Sequence, residues 1–285
     1  MKLTNRIKSI AIGSFDGVHL GHQALIREVE AVLIIERNRS VITPGYRRTD
    51  YINKPAFFYH LDRVISLSAK EFIEKLSQDF PNLETIVVGY DFGFGYKKEG
   101  NTTLLQQLFR GKVKVIKEVK YKDISIHSRS IKEFIKNGEI RLTNELLNHT
   151  YRIDGQIVTG QGLGKKELVP TLNLKVQNFL LPKEGVYATR TYIDNQWLPS
   201  VSFFGHRVTT DGSFAVESHI LDRDIGVVKG KIELEFIAFI RDNQKFDGLE
   251  ALKTAIDQDI AKSRELIQTT PKLHNAPSLA KSMSF

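Results

Sequence analysis

The chain of 285 residues contains no cysteine. Disulfide bonds, thiolate metal sites and cysteine nucleophiles are therefore excluded, and a sequence without cysteine fits a cytoplasmic protein. No apolar run approaches the roughly 18 residues that suggest a membrane-spanning helix. Residues 1–9 are polar and basic and lack the apolar core of a secretory signal peptide. We therefore expect a soluble, cytoplasmic protein without a membrane partner. Internal repeats are absent as well.

Positive charge is in excess, with 41 Lys and Arg against 33 Asp and Glu. The surplus is uneven, because residues 1–145 hold 24 basic and 17 acidic side chains, whereas residues 146–285 hold 17 and 16. A basic first half attracts polyanions, of which ATP and nucleic acid are the two candidate classes. The length and the hydrophobic content of 41% favour two domains, each with its own core.

Short apolar runs alternate with helical patterns in the first half, which predicts an α/β domain with a largely parallel sheet. The predicted strands are residues 9–12, 32–35, 85–88 and 113–116, and the predicted helices are residues 22–31, 69–76 and 104–109. Glycine-rich segments follow two of the strands, at residues 13–22 and 89–95. Ligands of open α/β sheets bind at the carboxyl ends of strands, so both segments are candidate ligand loops.

The second half changes to strands separated by turns, which predicts a compact antiparallel barrel. Its predicted strands are residues 152–159, 185–193, 198–204, 213–221 and 230–240. A closing helix is expected at residues 249–267, with Leu249, Leu252, Ile256 and Ile260 along one face. We place the domain boundary after residue 147, end the second domain at residue 270 and expect residues 271–285 to form a flexible tail.

The first glycine segment joins a strand to a helix, so it presents backbone N–H groups and a positive helix end to anionic oxygens. His19 and His22 lie in the same segment and can donate hydrogen bonds to phosphate. This combination suits the stabilisation of a pentavalent phosphorus and a departing pyrophosphate. The alternative is an ordinary turn whose glycines serve geometry and whose histidines lie at the surface.

A second phosphate-handling loop is predicted at residues 155–164, where four glycines let backbone amides approach phosphates closely. Thr171 and Asn173 follow in the tetrapeptide Pro-Thr-Leu-Asn and offer neutral oxygen ligands to magnesium that is already bound to nucleotide phosphates. In isolation, such a tetrapeptide is a common turn. The pattern therefore leaves both a metal site and a structural turn open.

Glu217 lies in a predicted strand, where alternation places it on one face with Ala215, His219 and Leu221. A carboxylate among apolar neighbours can act as a base toward an alcohol that attacks phosphorus. The alternative is a glutamate that simply faces solvent.

The segment His19-Leu20-Gly21-His22 matches in full the His-x-Gly-His motif of a nucleotidyltransferase family, and residues 13–22 resemble the phosphate-binding segment of that family. Residues 15–18 and 89–95 resemble its flavin adenylyltransferase branch, and the second half resembles riboflavin kinase. Over roughly residues 9–267, the chain therefore resembles the bacterial bifunctional riboflavin kinase/FAD synthetase family.

This resemblance implies a Rossmann-like nucleotidyltransferase domain at residues 1–147 and an antiparallel β-barrel riboflavin kinase domain at residues 148–270. It implies that ATP phosphorylates riboflavin to FMN and then adenylylates FMN to FAD, with Mg²⁺ as cofactor and no nucleic-acid partner. The catalytic residues that it implies are Glu217 in the kinase domain and His19 and His22 in the nucleotidyltransferase domain. The ATP and phosphate contacts that it implies are Gly13, Phe15, Asp16, Gly17, Gly21, Ser128, Gly160, Gly162 and Gly164. Its implied flavin contacts are Asp91, Phe92, Gly95 and Asn101, and its implied metal ligands are Thr171 and Asn173.

Four segments depart from the family pattern, at residues 35–39, 127–132, 203–209 and 228–230. In the second of these, Lys132 replaces an expected arginine, and lysine lacks the guanidinium fork that grips phosphate at two points. One alternative is therefore an enzyme with a single activity, the kinase. Another is a catalytically silent flavin- or nucleotide-binding protein whose basic first domain contacts nucleic acid. The complete set of proposed catalytic residues favours an enzyme. No oligomeric state is predicted.

Overall fold

A computed structural model describes residues 3–37, 41–159, 169–209, 211–271 and 273. The chain divides into two compact units between Ser128 and Arg129. Three of the predicted phosphate contacts, Gly160, Gly162 and Gly164, lie outside the described residues, as does the predicted tail apart from residues 271 and 273. Within the described ranges, no helix has the length and apolar character needed to cross a membrane.

The first unit is built on a five-stranded parallel sheet in the order β3-β2-β1-β4-β5, which confirms the predicted α/β class. Its strands are β1 (Ser9–Gly13), β2 (Ala31–Glu36), β3 (Ala56–His60), β4 (Thr85–Gly89) and β5 (Lys112–Ile116). The helices are α1 (Leu20–Arg27), α2 (Ala69–Asp79) and α3 (Thr102–Leu108), and a short hairpin pairs β6 (Lys120–Tyr121) with β7 (Ile124–Ser125).

The central strands of this sheet are apolar throughout because both faces are covered. Along β1, Ile10 and Ile12 pack into one core cluster, whereas Ala11 packs into the other. The strand order reverses between β1 and β4, since β2 and β3 lie on one side of β1 whereas β4 and β5 lie on the other. A crevice for ligands forms at such a reversal, beyond the carboxyl ends of the two strands. Both predicted ligand loops of this unit begin there.

The second unit contains a closed antiparallel barrel in the order β10-β11-β12-β9-β8-β13, as predicted. Its strands are β8 (Arg152–Val158), β9 (Leu172–Val176), β10 (Gly185–Ile193), β11 (Gln196–His206), β12 (Phe214–Ile220) and β13 (Lys231–Asp242). The helices are α4 (Ser128–Lys136), which starts at the unit boundary, α5 (Ile140–Leu147) and α6 (Leu249–Thr269). The sequence patterns did not predict β9, α4 or α5.

Helix α6 packs on the barrel as expected, and Ile260 of the predicted face packs against a barrel core cluster, but that face is not the most buried one. Leu249 is 43% exposed, and the buried residues are Ala255, Asp259, Ser263 and Leu266. Two of these are polar because they bond to the barrel: Asp259 pairs with Arg241 at 2.7 Å, and Ser263 donates to the carbonyl of Ser200 at 2.9 Å. A face chosen by apolar spacing alone cannot include such polar anchors.

The two compact units meet after residue 128, and residues 129–147, which precede the predicted domain boundary, group with the barrel. Helix α5 packs against β13. The Asn144 side chain donates to the carbonyl of Phe236 at 2.9 Å and accepts from the amide of Tyr151 at 2.7 Å. A helical pattern in a sequence does not reveal which sheet the helix packs on.

Asn144→Ala is expected to destabilise the second unit by about 3 kcal/mol, because two buried backbone groups lose their side-chain partner. Urea unfolding can be followed by the fluorescence of Trp197, the single tryptophan of the chain. The exposed Asn137 offers a control, and Asn137→Ala should change the unfolding free energy by less than about 0.5 kcal/mol. Equal effects of the two substitutions would contradict the structural role of Asn144.

Candidate active sites

The turn between β1 and α1 is held in a backbone conformation that few sequences allow. Phe15, Gly17 and Val18 have φ angles of 49°, 86° and 42°. Burial of the Phe15 and Val18 side chains, both 0% exposed, anchors this backbone to the core. Gly13 ends β1 and Gly17 supplies the least strained of the three positive φ angles. The turn is therefore preorganised before any ligand arrives.

Two further predicted residues meet at this turn although they lie far apart in the sequence. The Asp16 carboxylate accepts from the amide of Thr43 at 3.1 Å. The Ser128 hydroxyl donates to the Asp16 carbonyl at 2.8 Å across 112 residues. The structure thus brings Ser128 to the same loop as the glycines, where the family resemblance had placed a phosphate contact.

The two histidines of the motif, His19 and His22, are joined by a hydrogen bond and by ring stacking. His19 caps α1, since its Nδ1 accepts from the amide of His22 at 3.3 Å, and the rings stack with centroids 3.6 Å apart. A Cβ at Gly21 would lie 3.2 Å from the His19 ring, so glycine leaves room for the ring. Because Nδ1 of His19 is an acceptor, its proton lies on Nε2, which is then a hydrogen-bond donor.

His22 reaches the surface in part, but its Nδ1 is buried without a hydrogen-bond partner among the described residues. Burial lowers the pKa of His22 well below its ordinary value, and nearby His19, Arg48 and His127 lower it further. The folded protein therefore holds His22 as neutral imidazole at neutral pH. In this form it can donate a hydrogen bond without carrying a charge.

The lowered pKa of His22 predicts acid sensitivity of the first unit. Below about pH 6.5, this histidine is protonated in the unfolded chain but stays neutral in the folded chain. The free energy of unfolding therefore decreases as the pH is lowered, by up to about 1.4 kcal/mol per pH unit. His22→Phe should remove this contribution. Hydrogen exchange of the β1 amides, measured between pH 5 and 8 for both proteins, checks it. A stability difference that stays constant over this range would contradict the assignment.

The four predicted flavin contacts lie in the loop between β4 and α3, and two of them also stabilise the local structure. Gly95 has a φ of 75°, and a Cβ there would lie 2.7 Å from the amide nitrogen of Ala69. Asn101 caps α3 by accepting from the amide of Leu104 at 2.9 Å. Asp91 and Phe92 lie at the carboxyl end of β4, beside β1, and stay candidates for flavin contact.

The departing segment at residues 127–132 contributes a side chain to this loop. His127 lies 3.9 Å from the Asp91 carboxylate, and its Nε2 lies 3.1 Å from the Tyr90 hydroxyl. The Tyr90 hydroxyl also donates to Glu118 at 3.3 Å. An ionisable cluster therefore borders the predicted flavin contacts.

Arg48 is a candidate residue of the first unit that the sequence patterns did not single out. Its side chain is 1% exposed, forms an ion pair with Glu36 and donates to the carbonyl of Gly45 at 3.1 Å. The Nε of Arg48 is buried without a partner among the described residues. Arg48 is also near enough to His22 to lower its pKa.

The second unit has a cavity of about 780 Å³, which lies in the usual range for small-molecule sites. Three of the predicted residues line it, namely Thr171, Asn173 and Glu217. Antiparallel pairing of β9 with β12 sets Glu217 directly opposite Asn173. The two departing segments of this unit also line the cavity, through Phe203, Arg207, Val208 and Thr209 and through residues 228–230.

The surroundings of Glu217 differ from the apolar neighbourhood that strand alternation predicted. Arg207 donates to Oε1 of Glu217 from Nε at 3.0 Å and from Nη2 at 2.6 Å. The same Nη2 donates to Oδ1 of Asn173 at 2.7 Å. Arg207 follows β11 in the loop before β12, so strand alternation could not place it near Glu217. An ion pair therefore replaces the expected apolar contact.

The donor set at Thr171, Asn173 and Glu217 consists entirely of oxygen atoms, which is the chemistry that Mg²⁺ prefers. Within the described ranges, no group of three or more His, Asp or Glu side chains is arranged to hold a metal ion. The set fits magnesium that arrives with nucleotide phosphates better than a resident ion. Arg207 already contacts Asn173 Oδ1, so one ligand is shared with a cation.

Comparison with known proteins assigns each unit. Residues 2–43 and 52–130 match the family described as FAD synthetase, and residues 147–267 match the family described as Riboflavin kinase. A relative from Pseudomonas fluorescens, named bifunctional riboflavin kinase/FMN adenylyltransferase, is 31% identical over 92% of this chain and 93% of its own length. The chain belongs to this family. A second member, from Listeria monocytogenes, is 29% identical over 88% of this chain and 90% of its own length.

A solved structure supports the fold of this family member over its length. It is titled a macrolide-efflux protein from Streptococcus pneumoniae, is 24% identical and aligns with a TM-score of 0.80 over 93% of this chain and 97% of its own. At this identity, the likeness shows the fold alone. Residues 44–51, which include Arg48, lie between the two ranges that match the FAD synthetase family. A family resemblance could therefore not have indicated Arg48.

Proposed function

We propose that this chain phosphorylates riboflavin to FMN and then adenylylates FMN to FAD, with ATP as co-substrate in both reactions. The observation that carries the proposal is the pairing of Glu217 with Asn173 across β12 and β9 in a cavity of about 780 Å³. The same chain holds a complete His19–His22 turn at the strand-order reversal of its other unit. Its family relatives are named for both activities.

In the kinase step, the terminal ribityl hydroxyl of riboflavin attacks the γ-phosphorus of ATP, and the bond to the ADP leaving group breaks. Glu217 takes the hydroxyl proton. Both Arg207 donors contact Oε1, so Oε2 is the oxygen that is left to accept the proton. The apolar cavity wall, which includes Val186, Val201 and Phe203, suits a flavin ring.

Thr171 and Asn173 would hold magnesium together with the nucleotide phosphates. When bound, the ion neutralises charge that develops on the transferred phosphoryl group. The chain supplies the positions of these two oxygens through β9, which starts at Leu172 and pairs with both β8 and β12.

In the adenylyltransferase step, an FMN phosphate oxygen attacks the α-phosphorus of a second ATP, and the bond to pyrophosphate breaks. The nucleophile is already anionic, so no base is required. His19 and His22 and the amides of the turn orient the phosphates and stabilise the charge of the transition state. The buried guanidinium of Arg48 adds positive potential to the same turn.

Incubation of the purified chain with riboflavin, ATP and Mg²⁺, followed by chromatography of the flavins, tests the proposal. We expect both FMN and FAD. FMN alone would reduce the function to that of a kinase, in line with the departing segments at residues 35–39 and 127–132. Flavin bound without any product would contradict the proposal and favour a binding protein.

A further inference from the structure

Arg207 forms several hydrogen bonds in the kinase cavity, and the reaction steps described above assign it no role. Its guanidinium bonds to Glu217 Oε1 through two nitrogens and to Asn173 Oδ1 through one of them. The Arg207 and Glu217 side chains are only 17% and 23% exposed, so water screens this ion pair weakly. One side chain thus links the proposed base to a proposed metal ligand.

The guanidinium is itself held in place from the other side. Its Nη1 donates to the Ser213 hydroxyl at 2.8 Å, and that hydroxyl donates to the Asp211 carboxylate at 2.8 Å. The backbone closes the loop as well, since the amide of Arg207 donates to the carbonyl of Ser213 at 2.9 Å. Arg207 therefore has a fixed position rather than a mobile surface conformation.

We propose that Arg207 is a positioning residue of the kinase site that holds Glu217 for proton abstraction and competes with the metal–nucleotide for Asn173. This proposal rests on the proposed kinase function of the cavity. Arg207 is not itself a base or a metal ligand, because a guanidinium has only donors and stays protonated.

The positioning part follows from how the two carboxylate oxygens are used. Both N–H donors contact Oε1, which restricts the rotation of the carboxylate and leaves Oε2 without a contact to Arg207. Without the fork, the Glu217 side chain would sample other rotamers, and a base must lie within hydrogen-bond reach of the hydroxyl that it deprotonates. Loss of Arg207 should therefore lower kcat rather than the affinity for riboflavin.

The competition follows from the contact with Asn173. Its Oδ1 accepts from Arg207 at 2.7 Å, and a divalent ion on the same oxygen would lie close to a guanidinium of like charge. The Nη2–Oδ1 hydrogen bond must therefore break when the metal–nucleotide binds, while the Nε bond to Glu217 and the Nη1 bond to Ser213 can stay. Removal of the guanidinium should tighten metal binding, whereas removal of a merely structural side chain would weaken it.

Arg207→Met tests both parts, because it removes the charge and the fork but keeps an unbranched stem. The probe is Mn²⁺ with saturating ADP, and unbound Mn²⁺ is read from its paramagnetic resonance signal. We expect one class of sites to bind Mn²⁺ about tenfold more tightly than in the wild type, since a competing charged hydrogen bond is lost. The kcat of FMN formation should fall about tenfold to a hundredfold, with little change in KM for riboflavin.

Three comparisons separate positioning from general damage. Conversion of supplied FMN to FAD should be unchanged, which shows that the first unit is intact, and urea unfolding followed by the fluorescence of Trp197 reports the folding of the second unit. Arg264→Met removes an arginine that pairs with Asp222 away from the cavity, and should leave both Mn²⁺ binding and kcat unchanged. Ser213→Ala releases Nη1 without loss of charge, and should shift both quantities in the same directions as Arg207→Met but less.

Mn²⁺ affinity that is unchanged or weaker in Arg207→Met would overturn the competition, and an unchanged kcat would overturn the positioning. If Arg207→Met does not fold, the same two readings of Ser213→Ala decide. A wild-type chain that forms no FMN would defeat the proposed kinase function instead. The Mn²⁺ measurement still reports whether Arg207 competes for Asn173, so the two failures are distinguishable.

Discussion

Glu217→Gln is expected to abolish FMN formation while the conversion of supplied FMN to FAD continues at the wild-type rate. Glutamine keeps the shape of the side chain and can still accept from Arg207 through Oε1, but it cannot take a proton. Loss of a general base lowers the rate by about 10²- to 10⁴-fold. Flavin products from parallel incubations with riboflavin and with FMN give both rates.

A matched control is available in the same unit. Glu265 pairs with Lys262 at the surface and does not line the kinase cavity, so Glu265→Gln should leave both rates unchanged. If folded Glu217→Gln lost both activities, the assignment of two separate sites would fail. If it kept the wild-type rate of FMN formation, Glu217 would not be the base.

His22→Ala is expected to have the opposite pattern: FAD formation from supplied FMN falls, and FMN formation from riboflavin is unchanged. His22 is neutral because burial lowers its pKa, so its contribution is a positioned hydrogen-bond donor rather than a charge. Loss of one such donor to a transition state costs about 10²- to 10³-fold in rate. The substitution also removes the ring that stacks on His19.

His60 serves as the control for this second prediction. It ends β3 in the same unit and is exposed, so His60→Ala should alter neither reaction. Wild-type FAD formation by His22→Ala would show that the motif is structural. A parallel loss of FMN formation would show that the substitution disturbs more than the first unit.

Elements covered by other layers were the most predictable part of the fold. The runs at β1, β2 and β4 are buried on both faces, so their apolar sequences identify them as parallel strands. Strand β3 was not predicted although Phe57, Phe58 and Tyr59 favour strands. It lies at the edge of the sheet and is only half-buried, so it lacks the burial of the central strands. Strand β9 was not predicted because its start overlaps the Pro-Thr-Leu-Asn tetrapeptide, which resembles a turn.

Site residues were predictable where a local motif carries them. His19 and His22 act within one turn of α1, so their spacing in the sequence already contains their geometry. The approach of Arg207 to Glu217 depends on how the loop between β11 and β12 folds back. The burial of Arg48 beside Glu36 likewise depends on tertiary packing. Neither contact leaves a periodic signal in the sequence.

If two separable sites on one chain act in order, two variants that each lack one site should complement one another when they are mixed. Glu217→Gln and His22→Ala are incubated with riboflavin, ATP and Mg²⁺, first separately and then together, and FAD is measured. We expect no FAD from Glu217→Gln, FMN with little FAD from His22→Ala, and FAD from the mixture. FAD from Glu217→Gln alone, or a mixture that produces no more FAD than its components, would contradict this expectation.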